Sequence, residues 1–218
     1  MDIKIDKNTV IVFDLDDTLY NEIDYLKSAY LDLAKELEPQ QWEHLYTRLF
    51  SLYRNKLDVF EFICDSYSIS KEELLHRYRN HKPNIKPFDG VLETFKNIKD
   101  KEGKLAIVTD GRSSTQRNKL TQLGLIPFLD YIVISEEIGS EKPNKANFKA
   151  VEDHFKLDTY YYIADNFKKD FITPKKRSWR TIALIDRGLN IHSNAHIHVS
   201  TAHLPEKYIS AITQLNFL

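Results

Sequence analysis

The chain has 218 residues, of which 42% are hydrophobic and 29% charged, enough for one sizeable domain or one domain with a smaller insert. Lys and Arg number 31 against 32 Asp and Glu, and the net charge of -1 disfavours nucleic acid and anionic membranes as primary partners. The single cysteine, Cys64, excludes an intramolecular disulfide and a Cys-based zinc site and suits a reducing compartment. No segment approaches the ~18 apolar residues of a membrane span, and the N-terminal apolar run is too short for a signal peptide, so a cytoplasmic protein is expected.

The first predicted element is a strand that ends on a cluster of acids. Residues 10–13 (Val-Ile-Val-Phe) are typical of a strand buried on both faces, as in the middle of a parallel sheet. Asp14 and Asp16 follow, and residues two apart on an extended chain can face one small volume. Such a pair needs a proton or a cation between its carboxylates, and Mg²⁺ is the simplest neutraliser. The alternative is that Asp16 and Asp17 only cap a turn.

Residues 21–85 predict a small helical domain inserted after this strand. Apolar side chains recur at spacings of three and four residues in four stretches, around 23–37, 42–53, 59–64 and 74–78. Ser70 with Glu73 is a capping box for the last of them. The remaining residues, 1–20 and 86–218, then form the main domain.

Helix and strand patterns alternate through the rest of the chain. Strands are predicted at 105–108, 131–134, 160–164 and 181–185, with an edge strand at 197–199. Helices are predicted between them, including one that ends at Gly124, one that begins at Thr173 and a polar closing helix from Pro205. This alternation indicates right-handed crossovers and a Rossmann-like α/β fold, a parallel sheet flanked by helices.

Polar residues follow several of these strands at their carboxyl ends, where open parallel sheets bind ligands. They are Thr109, Asp110 and Gly111, then Lys142 in a later loop, then Asp165 and Asn166. Each one alone is equally explained as a strand-end cap, a turn or ordinary surface. The basic residues Lys168, Lys169, Lys175, Lys176 and Arg177 are expected to form a solvated face.

Four short motifs occur in a fixed order: Asp-Leu-Asp-Asp-Thr at 14–18, Thr-Asp-Gly at 109–111, Lys-Pro at 142–143, and Asp165 with Asp170. On these motifs the whole chain resembles the haloacid dehalogenase superfamily hydrolases, in the subclass with a helical cap after the first strand. One departure is Ala164, which stands where the fourth motif commonly has glycine.

The resemblance implies the roles of the acids. Asp14 would be the nucleophile that attacks phosphorus, and Asp16 would protonate the leaving group and later take a proton from water. Asp14, the backbone carbonyl of Asp16, and Asp165 would hold Mg²⁺.

The resemblance also implies which residues surround the substrate. Thr109, Asp110, Gly111 and Lys142 would bind the phosphate, and Asp170 and Asn166 would support Lys142 or the metal. Arg112 is a candidate substrate contact. Specificity is expected to come from the cap and from the loops at 20–24 and 111–116.

The function expected from this resemblance is Mg²⁺-dependent hydrolysis of a small phosphorylated metabolite through an aspartyl-phosphate. A phosphomutase shares every catalytic residue and stays open, as does a non-catalytic binding protein that retains the fold. A dehalogenase is disfavoured because a halide leaves without an acid or a metal, which would give Asp16 and Asp165 no purpose. The protein is expected to be a monomer or a homodimer.

Overall fold

A computed structural model describes residues 1–192 and 200–218 of the chain. The strands are β1 (Asp2–Ile3), β2 (Thr9–Phe13), β3 (Lys104–Thr109), β4 (Tyr131–Ile134), β5 (Thr159–Ala164), β6 (Arg180–Leu184), β7 (Lys207–Ile209) and β8 (Asn216–Phe217). The helices are α1 (Glu22–Leu37), α2 (Trp42–Arg54), α3 (Val59–Tyr67), α4 (Lys71–Arg79), α5 (Val91–Asp100), α6 (Ser113–Gln122), α7 (Ser135–Ile138), α8 (Lys145–Phe155) and α9 (Ile172–Lys176). In these described ranges, no helix is both long and apolar enough to span a bilayer.

The main sheet is parallel and has the strand order β4-β3-β2-β5-β6-β7. Every residue of β2 is buried, as the apolar run predicted. Its side chains alternate between two apolar clusters, because successive residues of a strand point to opposite faces. Ile11 and Phe13 join α5 on one face, and Val10 and Val12 join α8 on the other. The predicted Rossmann-like arrangement of a parallel sheet covered by helices is confirmed.

The strand order reverses direction at β2, and this reversal positions the acidic motifs. The chain passes from β2 outward to β3 and β4, and then returns to build β5, β6 and β7 on the other side. β2 and β5 are neighbours, and the Asp14 amide donates to the Ile163 carbonyl at 2.9 Å. Such a switch point leaves a crevice beyond the carboxyl ends of the strands, and Asp14 and Asp165 both lie at it.

Helices α1 to α4 follow one another between β2 and α5 and share an apolar core. That core contains Leu26, Tyr30, Leu33, Ala34, Leu45, Leu49, Val59, Ile63 and Leu74. Ser70 caps α4 as predicted, since its hydroxyl accepts a hydrogen bond from the Glu73 amide at 3.1 Å. The group touches the sheet domain through α6, where the Thr115 hydroxyl donates to the Arg79 carbonyl at 3.0 Å.

The C-terminal segment differs from its prediction. Residues after Pro205 form β7, a 3-10 turn at Ile212–Gln214 and β8, so the predicted closing helix is wrong. β6 would otherwise have an open edge, and pairing of Ile182–Leu184 with Lys207–Ile209 satisfies its backbone. The edge strand predicted at 197–199 lies outside the described residues.

A smaller correction concerns the helix predicted to begin at Thr173. Helix α9 begins one residue earlier, at Ile172, and Phe171 occupies the capping position. The Thr173 hydroxyl instead donates to the Pro143 carbonyl. A tertiary contact therefore uses the group that local pattern assigned to the helix cap.

Candidate active site

A cavity of about 300 Å³ opens at the carboxyl end of the sheet. Its lining contains Asp14, Asp16, Glu22, Thr109, Asp110, Gly111, Glu141, Lys142, Asp165, Asn166, Lys169 and His192. Residues from all four sequence motifs are thus brought to one volume, although the first and the last are about 150 positions apart.

Asp14 is a buried carboxylate at the end of β2. The Lys142 ammonium lies 2.7 Å from its Oδ1 and 2.8 Å from Asp170 Oδ1, and it donates to the Tyr162 hydroxyl at 3.1 Å. An ammonium has three hydrogens, and these three contacts use them all. Of the three partners only Asp14 lines the cavity, so a ligand anion that reaches Lys142 must share or replace that contact.

Asp165 brings a second carboxylate to Asp14. Oxygens of Asp14, Asp165 and Asp170 lie within 4.8 Å of one another, and all three side chains are buried. Burial raises the pKa of Asp14 to about 7 even beside Lys142, and burial and the Asp14 charge raise that of Asp165 well above its usual value. Asp170 is already satisfied, because its other oxygen accepts from the Asn166 amide at 3.0 Å.

This donor set fits a hard divalent cation. Asp14 and Asp165 present carboxylate oxygens to the cavity, and oxygen donors are what Mg²⁺ prefers. A cation between them would offset the repulsion that burial intensifies.

Asp16 lines the same cavity but has different partners. It accepts from Lys119 Nζ at 2.7 Å, from Gln116 Nε2 at 2.8 Å and from the Tyr20 hydroxyl. Burial alone would raise its pKa, but the Lys119 ammonium and these hydrogen bonds bring it below the usual value. Asp16 is therefore held as a carboxylate in this conformation.

The second motif packs against this network. The Thr109 hydroxyl accepts from Gln116 Nε2 at 2.6 Å, so one amide group bridges Thr109 and Asp16. Asp110 accepts from the Lys142 amide at 3.0 Å and from Lys169 Nζ at 2.8 Å. Lys169 was expected on a solvated face and lines the cavity instead, so that expectation is wrong for this residue.

Gly111, Asn166 and Arg112 complete the predicted set. The Gly111 amide donates to the Ser135 hydroxyl at 2.9 Å, and the Asn166 side chain accepts from the Lys168 amide at 3.1 Å, although both residues line the cavity. Arg112 is exposed, pairs with Glu136 at 2.6 Å and does not line the cavity.

Glu22 and His192 form a further wall of the cavity, and Asp17 connects them. The Asp17 carboxylate accepts from the Glu22 amide and from the Ile191 amide, each at 2.8 Å. Burial and the Asp16 charge raise the pKa of Glu22 to about 8. Burial and then the Lys169 charge lower the pKa of His192, so its ring is neutral at pH 7.

Comparison with known proteins decides the family. Residues 11–184 match the family model described as haloacid dehalogenase-like hydrolase. The chain belongs to this family. Its membership confirms the resemblance found in the four motifs.

Several relatives of this hydrolase are named as phosphatases or a nucleotidase. A glyceraldehyde 3-phosphate phosphatase of Methanocaldococcus jannaschii is 26% identical over 191 residues, which cover 80% of this chain and 84% of the relative. The pyrophosphatase PpaX of Halalkalibacterium halodurans is 29% identical over 150 residues, covering 63% and 64% of the two chains. The pyrimidine 5'-nucleotidase YjjG of Escherichia coli is 28% identical over 152 residues, covering 63% and 67%.

Solved structures share the hydrolase fold. YfnB of Bacillus subtilis, solved bound to magnesium, superposes with a TM-score of 0.64 at 20% identity, covering 94% of this chain and 95% of that one. A phosphatase of Thermococcus onnurineus gives a TM-score of 0.59 at 20% identity, covering 93% and 94%. L-2-haloacid dehalogenase of Xanthobacter autotrophicus gives 0.54 at 13% identity, covering 80% and 76%. At these identities the likeness establishes the fold alone.

Three cavity-network residues of the hydrolase, Lys119, Gln116 and Glu22, were not identified from sequence. Gln116 and Lys119 are three positions apart on α6 and are buried, although both are polar. The sequence of α6 has few apolar residues, yet one face of the helix must be buried. A pair of polar residues three positions apart could therefore have been predicted to lie on that buried face. Glu22 and Gln116 fall within the segments 20–24 and 111–116 that were expected to affect specificity, although the structure places both residues in helices, α1 and α6.

Proposed function

We propose that this hydrolase is a Mg²⁺-dependent phosphomonoesterase that acts on a small phosphate ester. The observation that carries the proposal is the pair of buried carboxylates, Asp14 and Asp165, that meet at the cavity beside Lys142. The names of two relatives support hydrolysis of a phosphate ester, and that of the pyrophosphatase supports phosphoryl transfer more broadly.

In the proposed reaction a carboxylate oxygen of Asp14 attacks phosphorus, and the bond between phosphorus and the ester oxygen breaks. The leaving alkoxide takes a proton from Asp16, which must therefore hold a proton when the substrate is bound, unlike in the present conformation. Water then attacks the aspartyl-phosphate, passes a proton to Asp16 and releases inorganic phosphate, which restores both acids. The ion pair of Asp16 with Lys119 favours the carboxylate form that the second step requires.

Asp14, Asp165 and the backbone carbonyl of Asp16 would hold the metal in this proposal. When bound, Mg²⁺ supplies positive charge that screens the attacking carboxylate from the phosphate and stabilises charge in the transfer. Lys142 and Thr109 would contact the phosphate oxygens, since both line the cavity. Lys142 contacts Asp14, and Thr109 is joined to Asp16 through Gln116.

We also propose that residues 21–85 act as a cap on a main domain made of residues 1–20 and 86–218. Their helices have an apolar core of their own, and Tyr25 and Tyr78 connect the group to one of the two clusters that cover the sheet. Glu22, the first residue of α1, nevertheless lines the cavity, so movement of this group would change access to Asp14.

The test is hydrolysis of an aryl phosphate by the wild-type protein and by Asp14→Asn, with and without Mg²⁺. Asp153→Asn is the matched control, because it makes the same change at an exposed residue of α8 that pairs with Lys149. We expect activity that needs both the metal and Asp14 and is unaffected in the control. Acid quenching followed by mass spectrometry should locate a phosphoryl group on Asp14.

Activity that persists in Asp14→Asn, or that does not need a divalent metal, would overturn the proposal. Phosphorylation of Asp14 without release of inorganic phosphate would indicate the phosphomutase instead. Absence of both turnover and phosphorylation would favour a binding protein that retains the fold.

A further inference from the structure

Two carboxylates in the cavity wall, Glu22 and the exposed Glu141, accept no side-chain hydrogen bond from the described residues, and Glu22 is the more buried of the two. Asp14, Asp16 and Asp110 each contact a lysine ammonium, and Asp165 accepts from Asn190 Nδ2 at 2.7 Å. The Glu22 side chain is only 25% exposed, and His192 Nε2 lies 3.9 Å from its Oε2, too far for a hydrogen bond. Within residues 1–192 and 200–218, no hydrogen bond reaches its carboxylate.

This acceptor is held in place by buried structure. Asp17 is 2% exposed and has a left-handed backbone conformation with φ of 55°, which turns its carboxylate toward two main-chain segments. One oxygen accepts from the Glu22 amide and the other from the Ile191 amide, so the main chain at Glu22 is held beside the main chain at Ile191. A part-buried carboxylate on main chain held in this way, without a hydrogen bond of its own and open to the cavity, is suited to a donor on a ligand.

The size and lining of the cavity limit that ligand. At about 300 Å³ it lies at the small end of the roughly 300–1,000 Å³ range of ligand pockets. No Phe, Tyr or Trp of the described chain lines it, so it offers little surface on which a nucleobase could stack. The lining favours a short polar molecule.

We infer that Glu22, together with His192, binds the leaving-group end of the substrate and selects esters whose alcohol carries a hydroxyl or an ammonium group near the phosphate. This inference rests on the proposed function and names the substrate class of the same site. Above its raised pKa of about 8 the Glu22 carboxylate is charged, so it accepts from a hydroxyl or an ammonium group and repels a carboxylate or second phosphate at that position. Short polyol and amino-alcohol phosphates fit, and phosphorylated hydroxy acids do not.

The experiment compares kcat/KM at pH 9, above the pKa of Glu22, for four probes in the presence of Mg²⁺: glycerol 3-phosphate, ethanolamine phosphate, 2-phosphoglycolate and p-nitrophenyl phosphate. The wild-type protein should prefer the first two over 2-phosphoglycolate by about tenfold or more, the effect expected for a hydrogen bond to a charged group. Glu22→Gln should shrink that preference by about tenfold, and more for ethanolamine phosphate, because the amide keeps an acceptor oxygen but loses the charge.

Glu72→Gln, an exposed position on α4, is the matched control and should leave the preference unchanged. Hydrolysis of p-nitrophenyl phosphate without the wild-type preference, or a Glu22→Gln variant with an unchanged preference, would overturn the inference and leave the proposed function standing. If none of the four esters is hydrolysed with Mg²⁺, the proposed function is wrong, and so is the inference that rests on it. The wild-type comparison needs no variant, so a misfolded Glu22→Gln protein does not remove the test.

Discussion

The ion pair between Lys119 and Asp16 joins α6 to the loop after β2, and its removal gives a measurable stability prediction. The two charges are 2.7 Å apart, and their side chains are 4% and 18% exposed. Lys119→Met keeps much of the side-chain volume but leaves Asp16 without its counter-charge. Removal of one partner of a buried pair costs about 3–5 kcal/mol. We expect the lower value, about 3 kcal/mol, because Asp16 keeps its contacts with Gln116 and Tyr20 and faces the cavity.

The assay is urea unfolding followed by tryptophan fluorescence, since Trp179 is buried in the core. A loss of about 3 kcal/mol corresponds to a fall in melting temperature of roughly 6–12 °C in a chain of this size. Lys149→Met is the matched control, because it removes an exposed pair with Asp153 and should cost less than about 1 kcal/mol.

A double-mutant cycle with Asp16→Asn separates the pair from other effects of the substitution. The double variant removes both charges. Its loss in free energy of unfolding should be smaller than the sum of the two single-variant losses by about 1 kcal/mol or more. The reasoning is refuted if the two losses add, or if Lys119→Met unfolds at the same urea concentration as the wild-type protein.

Two further variants test the surroundings of the site. Gly111 has φ of +137°, and a Cβ there would lie 3.2 Å from the Gln116 side chain, so Gly111→Ala should cost about 1–3 kcal/mol in urea unfolding. Gly124→Ala, where a Cβ meets nothing within 4 Å, should cost less, and equal losses would contradict the clash. Burial lowers the pKa of His81 despite the nearby Asp32, so the folded state binds this proton less readily than the unfolded chain does. The free energy of unfolding should therefore fall as pH drops below about 6.5, and less in His81→Gln; identical pH dependence in the two proteins would rule this out.

Local sequence pattern was sufficient for most of the sheet. The strands predicted at 105–108, 131–134, 160–164 and 181–185 form within one or two residues of the expected bounds, because a buried parallel strand leaves a continuous apolar run in the sequence. The predicted left-handed helix end at Gly124, with φ of 70°, is confirmed for an equally local reason. The segment after Pro205 failed because its strand has only one buried residue, Ile209, and depends on the open edge of β6.

In the candidate site, too, some features followed from local sequence and others from the tertiary structure. The four motifs identified Asp14, Thr109, Lys142 and Asp165 as neighbours in space, and the cavity contains all of them. Their individual catalytic roles stay predictions. The resemblance gave Asp170 as a partner of Lys142 or the metal, but no motif indicated that Lys142 would also contact Asp14 and Tyr162, because that geometry depends on how β5 lies beside β2.

By itself, then, the sequence determined the parallel α/β fold, the family and the acids that gather at the sheet edge, because apolar periodicity and strand-end motifs are properties of short segments. The tertiary structure alone decided the partners of those acids. Lys119 reaches Asp16 across 103 positions, and Asp17 joins Glu22 to Ile191 across the cavity wall. Such pairings depend on strand order and helix placement. The sequence around a charged residue does not indicate which distant residue will be its partner.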